Sequence, residues 1–385
     1  ESMHCLTYFC RIHMYQKNYL IKFILLAFLL LIGACVSQPQ ISVEALPNYD
    51  ALFENTEGWT GADGAYTVPL SEKTTLWLFG DTWMGEIRNG MHVNATIINN
   101  SVAIQKGIYL PDVSVDFFAD LTSGMEPRAF IRPADGRGWF WIYHGTRVQK
   151  GLYLFLMQIE RTESKGTFGF KIIGTWIGHV INPDDPPNLW RLSQQRIPWG
   201  EFAPSGDTIF GSALLKEQGF VYIYGTGEDV SGEIRRKHMI LARVPENELE
   251  NFDQWRFSTG GGWTSDFEEA APLCGEIANE YSVSFISKIK KYAAVYTENG
   301  FSKNIVARFA PKPWGPWSDA VILYECPEIK WGDDIFCYAA KGHPAISFGP
   351  DELIVTYVAN SMDFERMAAD ARLYRPRFLR VRFEP

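Results

Sequence analysis

Five short apolar segments along the chain end in an aromatic residue followed by small or polar ones: LWLFGD at 76–81, WIYHG at 141–145, YIYGT at 222–226, AVYTE at 294–298 and VTYVA at 355–359. Each reads as a buried strand. Upstream of each lies a second short strand that opens on a polar or small residue: DGAY at 63–66, PRAF at 127–130, GSAL at 211–214, EYSV at 280–283 and HPAI at 343–346. From opening to partner aromatic the spacing is 16, 16, 13, 16 and 14 residues, with turn-formers between, so each unit predicts a hairpin. A third strand follows most clearly at 239–243 and 305–309, and a fourth at 255–257 and 321–324. Successive openings lie 64, 84, 69 and 63 residues apart, which suits four-stranded blades with long loops. The expected fold is all-β, a five-bladed β-propeller around a central channel. A two-sheet sandwich gives no reason for five copies of one hairpin with polar openings.

The other elements lie outside this array. The apolar block 23–34 follows Lys17 and Lys22 in the layout of a secretory signal, and is short for a membrane span. Its end, LIGAC at 31–35, resembles the lipobox of bacterial lipoproteins, which makes Cys35 the expected lipid anchor; the alternative is a signal peptide with an incidental Cys. With no Asp after Cys35, the resemblance favours an outer membrane over an inner one. Met14 reads as the start and 1–13 as upstream sequence. The expected organisation is therefore 1–35 leader and signal, 36–55 tether with a strand that closes the ring, and 56–385 propeller, an exported monomer held at the cell envelope or its periplasmic face.

Composition narrows the partner. The 385 residues are 46% hydrophobic and 15% aromatic, enough for a large core. A net charge of -9 with no long Lys/Arg run excludes a polyanion such as nucleic acid. Of six Cys, three follow the anchor: Cys274, Cys326 and Cys337, of which the last two are the nearest candidates for a disulfide or are buried free thiols. Phosphate-binding glycine loops, serine elbows and zinc helices are absent from the sequence.

In a propeller the start of the innermost strand, the end of the second and the start of the third share one axial face. That places Asp63, Asp81, Asn99 and Asn100 together, with Glu126, Arg128 and His144 from the next blade, Glu280 from the fourth, and His343 and Asn360 from the fifth. Clustered carboxyls raise one another's pKa, and two facing acids are what glycoside hydrolysis needs. Trp59 and Trp83 are candidate sugar platforms beside that mouth, against the alternative of core packing, and Trp263 is placed there with them. Asp63 and Asp81 could instead fix turns, Glu126 and Arg128 could form an ion pair, and His343 could be a buried structural histidine. No cofactor is required by the pattern; an axial calcium ion is compatible with it.

The runs GWTGADG at 58–64 and LFGDTW at 78–83, with eighteen residues from Asp63 to Asp81, resemble the bacterial domains of unknown function 4185 and 5005, related in fold to the five-bladed glycoside hydrolases of families 43 and 32. GPWS at 315–318, YAAKGHP at 338–344 and YRPRF at 374–378 resemble their closing blades, so the resemblance spans about 55–383. It implies action on furanosides of arabinan type, with Asp63 and Asp81 as the catalytic carboxylates and Glu280 as the acid of a later blade. Pro127 and Gly211 stand where the wider clan places acids. A carbohydrate-binding propeller without catalysis is the alternative.

Overall fold

The computed structural model describes residues 39–121, 126–163, 169–200, 202–203, 206–232 and 235–384. The expected signal segment and its anchor Cys35 lie outside these residues. The chain separates into Glu1–Gln40 with Pro385, and Ile41–Glu384. The architecture below is that of the second unit.

Antiparallel strands carry almost all of it. The first sheet runs Tyr66–Ser71, Thr74–Phe79, Ser101–Lys106, Ser114–Phe118. The second runs Trp139–Val148, Gly151–Arg161, Phe170–Val180, Leu192–Arg196. The third is built on Gly206–Glu217, Phe220–Asp229 and Arg236–Pro245, with short strands at its margins. The fourth runs Tyr281–Ile286, Lys291–Thr297, Asn304–Ala310, Val321–Glu325. In the fifth, Ile335–Gly342, Glu352–Ser361 and Pro376–Glu384 are followed outward by Gln40–Ala45, so the early chain completes a sheet that the late chain begins.

The first strands of these sheets share one axis, because Thr67, His144, Leu214, Ser282 and Gly342 border a single cavity at one end. At the other end Asp63, Tyr143, Glu280 and Tyr338 border a second. Strands packed between neighbouring sheets are buried on both faces, so they read as continuous apolar runs. Leu152 through Met157, and Ile159, are all buried in the second sheet.

Two of the expected hairpins differ. The 127–130 segment is not a strand; Arg128 makes only an isolated bridge to Asp120, and Trp139–Val148 is itself the innermost strand, paired with Gly151–Arg161. Pro127 and Pro133 withhold ladder donors there. Likewise 343–346 is a tight turn over Pro344–Ile346, and the first strand of its sheet is Ile335–Gly342. The pattern also gave no sign of a small sixth sheet, Glu57–Ala62, Thr82–Arg88 and Met91–Ile98, which rises from the first.

Candidate active site

The first hairpin builds the acidic centre. Tyr66 pairs with Leu78; three residues further out along both arms stand Asp63 and Asp81, and the Asp63 N–H donates to the Asp81 carbonyl at 3.3 Å. The Asp63 carbonyl in turn accepts the Gly80 N–H at 3.1 Å, so Asp63 faces both Gly80 and Asp81, and like charges on facing positions of a hairpin repel. Gly80 makes the room. A Cβ there would lie 2.4 Å from Asp63 Oδ1 and 3.8 Å from the Trp141 indole, so the missing side chain is the space that the Asp63 carboxyl occupies.

Each carboxyl has its own donors. Asp63 Oδ2 accepts the Tyr338 hydroxyl at 2.7 Å and the Tyr374 hydroxyl at 2.9 Å. Asp81 Oδ1 accepts the Trp141 indole N–H at 2.8 Å and the Asn99 amide at 3.3 Å. Glu280, immediately before Tyr281–Ile286, takes a 2.9 Å ion pair from Lys341 Nζ, whose ammonium also donates to the Ala339 carbonyl and lies 4.3 Å over the Tyr66 ring. The Lys341 side chain is 1% exposed, so its charge is spent inside the axis.

These surroundings split the two acids. Burial, then the charges of Asp81 and Glu280, push Asp63 up to about 8, against the pull of its two phenol donors. Burial raises Asp81 only to about 6, since Trp141, Asn99 and the charge of Arg161 favour its anion. Of the two, Asp63 is the carboxyl its surroundings bias further toward the neutral form, and Asp81 the one whose donors favour the anion. A raised carboxyl stabilises the fold fully below its unfolded value near 3.8, and that stability is lost as pH rises through about 8. Asp63→Asn, which mimics the neutral form, is therefore expected to flatten the fall in stability between pH 4 and 8 and to exceed wild type by on the order of a few kcal/mol near pH 9. Urea midpoints across that range measure it.

The cleft around these acids is about 250 Å³. Trp141 and Phe170 meet edge to face at 4.8 Å on one wall, and Phe301, Phe336 and Tyr338 cluster on another with centroids 5.2, 5.4 and 6.0 Å apart. Asn279, Asn299 and Lys237 also line it, as does Asn360, whose amide lies 3.5 Å from the Tyr338 hydroxyl.

Of the expected site residues, Asp63, Asp81, Glu280 and Asn360 line the cleft, and Asn99 stands behind Asp81. The others do not reach it. Trp59 is core, nearly parallel to Phe117 at 4.4 Å with its indole N–H on Ser101. Trp83 is buried against His92 at 4.5 Å, beneath the site, and Trp263 stacks with Arg243 elsewhere. The Asn100 amide ties the Ile131 and Phe140 backbones together. Glu126 and Arg128 are exposed on a loop, because 127–130 does not enter the axis. His144 borders the opposite cavity, holding Thr67 and Leu214 backbones; burial, reinforced by Lys341, depresses it to about 4. His343 bonds the Thr67 and Thr356 hydroxyls and is also held neutral by burial.

Trp141, Tyr338, Lys341 and Tyr374 were not expected as site residues. The signal for Tyr338, Lys341 and Tyr374 lay in the motifs at 338–344 and 374–378, and Trp141 opens the apolar segment at 141–145. Among the described residues no group of three or more His, Cys, Asp or Glu is arranged to hold a metal ion, and no helix is long and apolar enough to cross a membrane. Cys274, Cys326 and Cys337 are free thiols, the last two buried.

A family model described as a domain of unknown function, DUF5005, matches residues 47–383. No curated protein matches the chain. Among solved structures, a Bacteroides ovatus ATCC 8483 protein provisionally named a hydrolase shares the fold, at TM-score 0.68 and 19% identity over 91% of this chain and 93% of that one. The catalytic domain of Coprinopsis cinerea GH62 α-L-arabinofuranosidase gives TM-score 0.48 at 10% identity, over 85% and 97%. A thermostable family-43 glycoside hydrolase gives 0.45 at 14%, over 86% and 92%. Scores below 0.5 are too low to equate these folds.

Proposed function

The chain belongs to the DUF5005 family of domains of unknown function, and from its site we propose that it is a glycoside hydrolase. One observation carries the reading: two neighbouring carboxyls in an aromatic cleft, Asp63 held by two phenols and Asp81 by an indole and an amide, with surroundings that bias Asp63 further toward its neutral form. The mechanism we infer is the retaining one, which requires the two carboxyl groups about 5 to 5.5 Å apart. Asp63 gives its proton to the glycosidic oxygen as the bond to the leaving sugar breaks, and Asp81 attacks the anomeric carbon. Water then cleaves the resulting ester, its hydroxyl passing to the sugar and its proton back to Asp63. Glu280, neutralised in part by Lys341, acts on Asp63 through its charge rather than as the acid.

The substrate we infer is a neutral furanoside polymer of arabinan type, in line with the resemblance of the motifs around Asp63 and Asp81. The sheets are read as five blades, with the small sixth sheet an insertion in the first. The shared axial cavities support that count. The protein acts at the cell envelope, exported and held by lipidated Cys35.

Incubation of the purified protein with arabinans, fructans and xylans, followed by chromatography of released sugars, tests the reading. Hydrolysis is expected with a bell-shaped pH profile, its acid limb near 6 from Asp81 and its alkaline limb near 8 from Asp63. Retained polymer binding with no released sugar from any of them points instead to a carbohydrate-binding protein.

A further inference from the structure

We propose that Tyr338 and Tyr374 form a positioning pair that decides which oxygen of Asp63 carries the reactive proton and how readily it leaves. The inference rests on the glycosidase reading of the site. Both hydroxyls donate to the same oxygen, Oδ2. An oxygen that accepts two donors is the anion-like one, so the proton of neutral Asp63 sits on Oδ1. Oδ1 is the atom that fills the gap over Gly80, beside the Trp141 ring whose N–H holds Asp81. The pair thus turns the acidic hydrogen toward its partner acid and the cleft.

The backbone is shaped to deliver these donors. Tyr374 has φ of 62°, a left-handed conformation uncommon for a bulky residue. Its N–H is held by the Ala359 carbonyl at 2.8 Å. Its own carbonyl presses against Gly61, where a Cβ would lie 2.6 Å away. Beyond Tyr338, Ala339 is also left-handed, with φ of 59°, and the ladder with Glu352–Ser361 slips between Tyr338 and Lys341. Sparsely populated backbone held this way at two donors to one carboxyl is the mark of a constraint kept for function.

Both phenols favour the Asp63 anion, opposing the charges of Asp81 and Glu280. The groups facing Asp63 are therefore Asp81 from its own hairpin, Tyr143 from the second sheet, Glu280 with Lys341 from the fourth and fifth sheets, and the two tyrosines. Loss of one hydroxyl leaves a stronger bias to the neutral form. Tyr338→Phe and Tyr374→Phe keep the rings and remove only the donors. Each is expected to raise the Asp63 pKa by about one unit.

Two readouts separate the outcomes. In the full-length protein, the pH at which stability stops falling is expected to move up from about 8 in either variant. It is followed by urea unfolding, with Asp63→Asn as the reference that lacks the inflection. In hydrolysis, the alkaline limb of kcat/KM is expected to move up by the same interval, with kcat reduced about tenfold by the weaker acid. An inflection that stays in place in both variants, with only a uniform loss of stability, overturns the pair's role and leaves the glycosidase reading intact. A shifted inflection in a protein that cleaves no polymer upholds the pair and overturns the glycosidase reading.

Discussion

Asp81→Asn is expected to lower kcat by about 10³- to 10⁴-fold on any polymer that the wild type cleaves, with little change in KM. The amide keeps the hydrogen-bond acceptor that Trp141 and Asn99 address, so the fold and the cleft survive while the attacking charge is gone. Added azide should restore turnover and yield a glycosyl azide of anomeric configuration opposite to the substrate, because a small anion can enter where the carboxylate stood. Asp63→Asn responds differently. It loses the proton donor, so kcat/KM for substrates with good leaving groups should be spared most of the defect, while kcat stays low because Asp63 also takes the proton of the attacking water. An Asp81→Asn protein that retains more than a tenth of wild-type kcat would remove Asp81 from the chemistry.

Lys341→Met is expected to cost about 3 kcal/mol of folding stability, the largest effect of any single change in the axis. The ammonium is almost wholly enclosed, and its partners are the Glu280 carboxylate and the Ala339 carbonyl. Removing it leaves a carboxylate near Asp63 with no counter-charge, which is worse than removing both. The double change Lys341→Met, Glu280→Gln should recover most of the loss. Urea midpoints of the two proteins measure the difference; equal midpoints would mean that the ion pair contributes nothing beyond the packing of the lysine stem.

The first hairpin was legible because its geometry is local. Eighteen residues with a central turn bring Asp63 opposite Asp81 whatever the rest of the chain does. Glu280 was legible for the same reason, as the residue before a regular inner strand. Arg128 and His343 were misplaced because each sits beside a proline, and a chain without those N–H donors leaves the ladder. The strand that takes the place of 127–130, Trp139–Val148, opens on Trp139 and so lacks the polar opening by which the repeat was aligned.

Trp59 and Trp83 fell to the alternative already weighed for them, core packing, because the small sheet folds their rings inward. The donors to Asp63 could not be read from spacing. Tyr338 and Tyr374 lie 275 and 311 residues from it, and only closure of the sheets brings them near.

The sheet that supplies both tyrosines is also the one that needs Gln40–Ala45 from the start of the array beside Pro376–Glu384 from its end. The acids of the first hairpin can form early, but their tuning partners arrive with the last strands. A chain that lacks those last strands would hold the carboxyl pair without the two phenols that donate to Asp63. The proton-setting environment of Asp63 is thus a property of the completed sheets, joined from both ends of the chain, and not of the hairpin that carries the acid.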